Sequence, residues 1–348
     1  MWDLVRSIQK KLLPDKVNAR LELTSSNVST QQQPTSLSNA EKALLVKFLS
    51  PLQLPLRLNE SSWASVLQKS IGVTVAGFKD KGLLVAGGVQ DQLESLTVVD
   101  LKKLCVSHGI KAGSRKADIV NSLVGAATSM VLPSVLVCSS SGRSIAQRYK
   151  DQLTQDRIQT LQSTASELAL RRFAEACKLV AKYESRQVFQ RGIGIDWSNC
   201  DHLDSIKDLE TIFSATPLIL REMSSEELQT LRIAGALAML FGEKEIRDYL
   251  PKPALWNHSI DTAAAARMFI FYARNQVQKE VSMRDYCTKQ VEILTTSDCC
   301  EACKQLPKGK IATNKAPELP HALCTSSDGC RCMFVPVTKS FDAIVKGK

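Results

Sequence analysis

Six of the chain's eleven cysteines fall between residues 299 and 332, in CCEACKQLPKGKIATNKAPELPHALCTSSDGCRC. No other feature restricts the fold as tightly, because thiols at this density must be free and buried, bridged, or gathered around a metal. Cys300-Glu-Ala-Cys303 has the two-residue spacing that lets two thiolates meet one tetrahedral ion. A second group follows, with Cys324 after a 20-residue interval, His321 just before it, and Cys330 and Cys332 beyond. Without an export signal, clustered thiols favour metal over disulfides. Soft thiolates select zinc over magnesium or calcium. The expectation is one structural Zn2+ held by Cys300 and Cys303 with two ligands from Cys324, Cys330, Cys332 and His321. Cys299 points elsewhere if Cys300 is used, and the spacing alone does not choose between these adjacent thiols. A catalytic zinc would keep an open position beside an acid or base. Glu301 and Glu318 are nearby, yet no HExxH-like arrangement surrounds them. A thioredoxin-like redox pair would need a strand and helix order that is missing here.

The rest of the chain does not need a metal, since 348 residues can bury large cores. No segment approaches the roughly 18 consecutive apolar residues of a membrane span, so no membrane insertion is expected. MWDLVRSIQKKLLPD lacks the apolar core and cleavage site of a signal peptide; it reads as an amphipathic helix in a cytoplasmic protein. Residues 1–39 are assigned to this helix and a polar linker. Residues 40–90 form a small helical or winged-helix-like module, opened by Ser38 and Glu41 in a capping box. A second helix start is expected at Ser61 or Ser62, and a third helix ends at Gly82 and feeds an extended Leu83 to Val85. Residues 91–128 form a helical pair, and 144–284 a larger helical domain of interleaved apolar and charged residues. SSSGRS before it reads as a turn, without the glycine spacing of a phosphate loop. In that domain Ser224 and Glu227 make another capping box, and the Ala263 to Ala266 run allows close helix approach. Residues 285–340 form the zinc-binding domain, with Val291, Ile293 and Leu294 suggesting a strand. The fold class is therefore mainly α and multidomain, with a small α+β end. Asp196, Cys200, Asp201, His202 and Asp204 interrupt the helical pattern and read as a turn with caps, so no catalytic residue is assigned.

LTVVDLKKLCVSHGIKAGSRKADIVNSLV, residues 96–124, carries the clearest hint of a partner. Thr97 is the expected N-cap of its first helix, and Leu101, Leu104 and Cys105 share a face. Gly109 can take the left-handed conformation that stops that helix. Ser114 is the expected cap of the second helix, whose buried face is Ile119, Val120 and Leu123. Five Lys or Arg residues oppose two Asp, a local net of +3. Backbone N–H groups at a helix start, with cations beside them, suit a phosphate. The whole-chain charge of +10 is compatible with that partner.

These residues resemble the SAP domain, a helix-extended-helix DNA-binding module, through Leu96, Thr97, Leu101, Lys102, Gly109, Ile110, Gly113, Lys116 and Ile119. The resemblance implies DNA contact by Gly113, Arg115 and Lys116, with Lys102, Lys103, Lys111 and Ser114 alongside. Arg115 between Ser114 and Lys116 is a departure from the family pattern. The cysteine cluster resembles the C-terminal part of phage head-morphogenesis, or minor head, proteins, in CEAC, LPH and GCRC. That resemblance implies structural roles for Cys300, Cys303, His321, Cys330 and Cys332; ALCTSSDG, which contains Cys324, is an insertion against it. Together these readings lead to the expectation of a non-enzymatic DNA-associated protein with low sequence specificity. A phage-related assembly protein with a protein partner is the second expectation, and a DNA-processing enzyme such as a nuclease the third.

Overall fold

The computed structural model describes residues 37–192, Trp197, 203–284 and 288–337. The expected first helix, the turn residues Asp196, Cys200, Asp201 and His202, and the Asp204 side chain lie outside the described residues. The fold is mainly α, with two small antiparallel sheets. It divides into two compact units, one built on Ser25–Ile158 with Arg186–Arg191, the other on Gln159–Ser185 with Gly192–Lys348.

In the first unit, α1 (Asn39–Lys47) starts on the expected capping box: the Ser38 side chain accepts from the Glu41 amide and Glu41 accepts from the Ser38 amide. The prolines after it give β1 (Leu52–Gln53). Helix α2 (Glu60–Leu67) is capped by Asn59, not by Ser61 or Ser62, because the Asn59 side chain reaches the Ser62 amide. The Ser61 hydroxyl donates to the same Asn59 Oδ1, which makes it part of the cap and not the cap itself. Helix α3 (Ile71–Asp80) ends before Gly82, whose φ of 64° turns the chain into β2 (Leu84–Ala86). Next come α4 (Val89–Glu94), α5 (Val98–Ser107) and α6 (Lys116–Val124). Then β3 (Val135–Cys138), buried along its length, inserts between β1 and β2 as the central strand. Leu44, Leu45, Phe48, Trp63 and Phe78 pack with Leu136 and Ala146 in one core, while Leu93, Leu101, Cys105, Ile119, Val120 and Leu123 form another.

SSSGRS is not a turn. It opens α7 (Ser140–Ala169), with the Ser139 hydroxyl accepting from the Gly142 amide. Gly142 has to be glycine, since a Cβ there would meet the Leu83 carbonyl at 2.0 Å. No side chain between Lys150 and Gln159 is fully buried, the pattern of a helix that leaves one core before it enters another.

In the second unit, α7 is separated from α8 (Phe173–Glu184) at Arg171, whose φ is 57°. The Arg171 amide donates to Leu168 and the Arg172 amide to Glu167, a Schellman arrangement without its usual glycine. Next come α9 (Leu203–Ser214), α10 (Ser225–Phe241) and α11 (Thr262–Arg284). The Ser224–Glu227 capping box is present. Helices α10 and α11 approach as the alanine run allows: a Cβ on Gly235 would lie 2.7 Å from the Ala266 carbonyl. The Arg232 guanidinium closes the end of α9 by donating to the Ile212 and Ala215 carbonyls. The unit ends in β4 (Gln290–Leu294), the single-turn α12 (Glu301–Lys304), β5 (Ile311–Ala312) and β6 (Met333–Pro336), with β4 in the middle of the sheet. Val291, Phe334 and four of the clustered cysteines belong to the same apolar core as Leu237, Met268 and Phe269.

Candidate metal centre and basic helix pair

The CxxC pair is positioned by one helical turn. The Cys299 amide donates to the Thr296 carbonyl, closing the turn after β4. Cys300 is the N-cap of α12 in an extended conformation, and Cys303 follows three residues later on the same face. The second half arrives through two turns, with the Cys324 amide on the His321 carbonyl and the Gly329 amide on Ser326. Gly329 has a φ of 81° and no room for a Cβ, which would meet Met268 Cε at 1.9 Å. Beyond it Cys330 and Cys332 are each 1% exposed. Arg331 between them faces outward, as the alternation requires, and pairs with Asp298.

Two thiol triads result, Cys300 with Cys303 and Cys324, and Cys303 with Cys330 and Cys332; the sulfurs of each triad lie within 4.8 Å of one another. Cys303 is common to both. Cys300 Sγ lies 3.6 Å from Cys324 Sγ, and Cys303 Sγ 3.8 Å from Cys330 Sγ. These are far longer than a disulfide bond, and the thiols are free. A tetrahedron with Zn–S bonds of about 2.3 Å has sulfur–sulfur edges of about 3.8 Å, so the spacing suits a coordinated ion. Between the thiols lies a cavity of about 10 Å³, the size of one water or one ion. The cysteine cluster can therefore hold a metal ion.

The outer contacts fit a thiolate site. The Thr325 amide donates to Cys300 Sγ and the His321 amide to Cys330 Sγ, both at 3.4 Å. Such N–H donors orient and stabilise thiolates that ligate metals. Burial pushes the Cys300 thiol up, but the Thr325 and Cys303 amides and the neighbouring thiols outweigh it and bring it down to about 6. Cys330 is held well below the thiol range by the Cys324 and Cys332 thiols, against its burial. Cys324 is raised chiefly because its S–H donates a hydrogen bond to Cys330, Cys332 likewise, and Cys303 chiefly by burial, to about 12. Crowded thiols cannot all ionise together unless a cation sits among them.

Of the six sequence-derived candidates, the five cysteines come together and the His321 ring does not join either triad. His321 contributes its backbone amide, and its buried Nδ1 has no hydrogen-bond partner. Cys299 stays outside both triads, so of the two adjacent thiols only Cys300 stands in a group that could hold an ion. Glu301 pairs with Lys304, and Glu318 accepts from the Leu218 amide, so neither carboxylate serves the thiols. The sequence reading missed Asn275. It is 2% exposed, donates to the Cys332 carbonyl at 3.2 Å and accepts from the Phe334 amide at 2.8 Å. The available signal was its position seven residues after the buried Met268, a polar residue in an apolar helical stripe.

The other candidate surface lies on α5 and α6. The Thr97 hydroxyl caps α5, and Gly109 at φ 65° ends it, as expected. Helix α6 differs: its N-cap is Arg115, and no side chain caps it. Gly113 explains the shift. A Cβ there would sit 2.6 Å from the Asp118 Cβ, so the connection folds tightly over the first turn and carries Ser114 past the cap position. Lys102, Lys103, Lys111, Ser114, Arg115 and Lys116 are all exposed. Lys103 lies 3.7 Å from Asp100, and Lys116 Nζ donates to the Glu94 carbonyl at 2.6 Å, tying α6 to α4. Among the described residues, no helix is long and apolar enough to cross a membrane. No protein-family model, curated protein or solved structure matches the chain.

Proposed function

We propose that the protein is a non-enzymatic DNA-associated protein whose α5–α6 pair acts as a SAP-like module on the phosphate backbone, with a structural zinc in the cysteine cluster. The observation that carries the DNA reading is the α6 start: an uncapped helix N-terminus flanked by exposed Lys111, Ser114 and Arg115. Free helix-start N–H groups beside cations are a phosphate site. The apolar sides of both helices are buried against each other and α4, so the charged side is left to a partner. Contacts of this kind position a backbone without reading bases.

Lys116 is assigned to holding the module together, because its ammonium is already bonded to Glu94. The sharper test therefore neutralises Lys111 and Arg115 alone. The K111Q/R115Q variant should bind duplex DNA more weakly, with a log–log salt slope shallower by about 2. Unchanged affinity at fixed salt would remove this assignment.

For the metal, Cys300, Cys303, Cys324 and Cys330 are the proposed ligands, because the sulfur pairs at 3.6 and 3.8 Å contain these four and Cys303 joins the two triads. A bound Zn2+ would supply the charge that lets these thiols ionise together and would cross-link the two turns. Cys332 then serves as a neighbouring donor. Metal content of the purified protein should be one zinc per chain, retained in C332S and lost in C303S. Loss in C332S with retention in C324S would move the fourth ligand.

A further inference from the structure

We propose that the β4–β5 hairpin of the metal-bound end is a second nucleic-acid backbone-binding surface, formed by Lys289, Lys308, Lys310 and Lys315. It rests on a different set of residues from the helix pair, and either surface can fail without the other. Residues 304–315, KQLPKGKIATNK, hold four lysines and no carboxylate. The fold concentrates them. Leu306 is buried and its amide donates to the Cys303 carbonyl, anchoring the segment on the thiol cluster. Gly309 at φ 81° turns the chain between Lys308 and Lys310. Strand β5 then returns along β4 in the register Gln290 to Ala312, and the Thr313 amide donates to the Lys289 carbonyl. Lys289 is thereby added to Lys308, Lys310 and Lys315, the three lysines of the segment that form no ion pair among the described residues.

The neighbouring carboxylates are engaged elsewhere. Asp298 pairs with Arg331, Glu301 with Lys304, and Glu318 accepts from Leu218. Glu292, exposed on β4, is the exception: it makes no ion pair among the described residues, and four unpaired lysines outnumber it. Among the described residues, none of Lys289, Lys308, Lys310 and Lys315 forms an ion pair, and all four are exposed. Like charges held on one short hairpin repel, and a polyanion relieves that repulsion. A membrane surface would be met by exposed apolar side chains alongside the lysines. Within 304–315 Leu306 is buried and Ile311 half-buried, so the segment offers charge without an inserting group. The phosphodiester backbone is the partner that this chemistry fits, and DNA and RNA share it.

The test uses full-length, metal-loaded protein, a short mixed-sequence DNA duplex and a single-stranded RNA, titrated between about 50 and 200 mM salt. The K289Q/K308Q/K310Q/K315Q variant should keep its metal and its melting temperature. Its affinity for the better of the two nucleic acids should fall roughly ten-fold or more, with the slope shallower by about 3.6 for duplex and about 2.8 for a single strand. Comparison with K111Q/R115Q separates the two surfaces: loss only in the lysine-hairpin variant supports this surface and removes the helix pair, and loss only in the other does the reverse. Wild-type affinity and slope in the quadruple variant would overturn the proposal. So would tighter binding of wild-type protein to phosphatidylserine vesicles than to either nucleic acid.

Discussion

The α5–α6 helix pair and the cysteine-rich end are both small and both carry lysines, but they are held together in different ways. The helix pair has its own apolar cluster, in which Leu93, Leu101, Cys105, Ile119, Val120 and Leu123 are almost fully buried. Burying such side chains contributes about 1.5–3 kcal/mol each, enough for a short pair closed by a capped start and a glycine stop. The cysteine-rich end has strands of two to five residues and a single-turn helix, and its interior is made largely of thiols. It borrows the rest of its core from α11. One region is therefore stabilised by side-chain burial within its own sequence, the other by docking on a helix and, under the zinc proposal, by an ion among its thiols.

Identical chemistry applied to the two regions exposes that difference. Chelation should act on one region alone, and it is the largest effect expected, since structural zinc binding is worth about 10–16 kcal/mol. Hydrogen exchange should accelerate at the Thr325 and His321 amides, which donate to Cys300 and Cys330. The amides of α5 and α6 should keep their protection. Cys→Ser gives the matched pair. C303S removes the thiol common to both triads and should release the metal. C105S places a hydroxyl at a 0% exposed site, costing about 1–3 kcal/mol by urea melt with metal content unchanged. Metal loss in C105S, or retention in C303S, would break the comparison.

Next in size is the helix-docking contribution. N275A leaves the Phe334 amide and the Cys332 carbonyl, both buried, without their partner. Each orphaned group costs about 1–3 kcal/mol, so a loss of about 2–6 kcal/mol is expected. A melt should show it in the second unit, and metal affinity should fall with it, because Cys332 is displaced. Chain reversals, caps and helical stripes were legible in sequence because they depend on neighbours along the chain: Ser38, Thr97, Gly109 and Ser224 act within four residues of themselves. The CxxC pair was legible for the same reason. The Asn275 contacts, 57 and 59 residues away, carry no local pattern beyond a polar residue in an apolar stripe. Strand β3 carries no local pairing signal, because its partners β1 and β2 precede it by some fifty to eighty residues. Caps failed where a closer contact displaced the serine, as Gly113 does at Ser114.

Acid should touch both units weakly and alike. Glu41 is held below the usual carboxylate range chiefly by Lys69 at 2.7 Å, and Glu227 by the amide and hydroxyl of Ser224, then His258. Because both folded values are depressed, each contributes stability above the unfolded carboxylate pKa, and that contribution is lost as pH falls through the folded one. Both groups lie near the surface, so the effect is at most about 1 kcal/mol apiece. The E41Q and E227Q variants should flatten the acid side of the stability profile below about pH 5.

The smallest expected effect concerns the break between α7 and α8, where a local rule is violated without visible gain. Arg171 takes a left-handed conformation with φ 57°. A side chain in that region costs about 1–2 kcal/mol against glycine, while glycine adds about 0.4–1 kcal/mol of unfolded-state entropy. The first term is the larger, so R171G should stabilise the second unit by about 0.5–1 kcal/mol. The backbone bonds from Arg171 to Leu168 and from Arg172 to Glu167 need no side chain and should persist. If melting shows a loss instead, the Arg171 side chain contributes an interaction that outweighs its backbone strain.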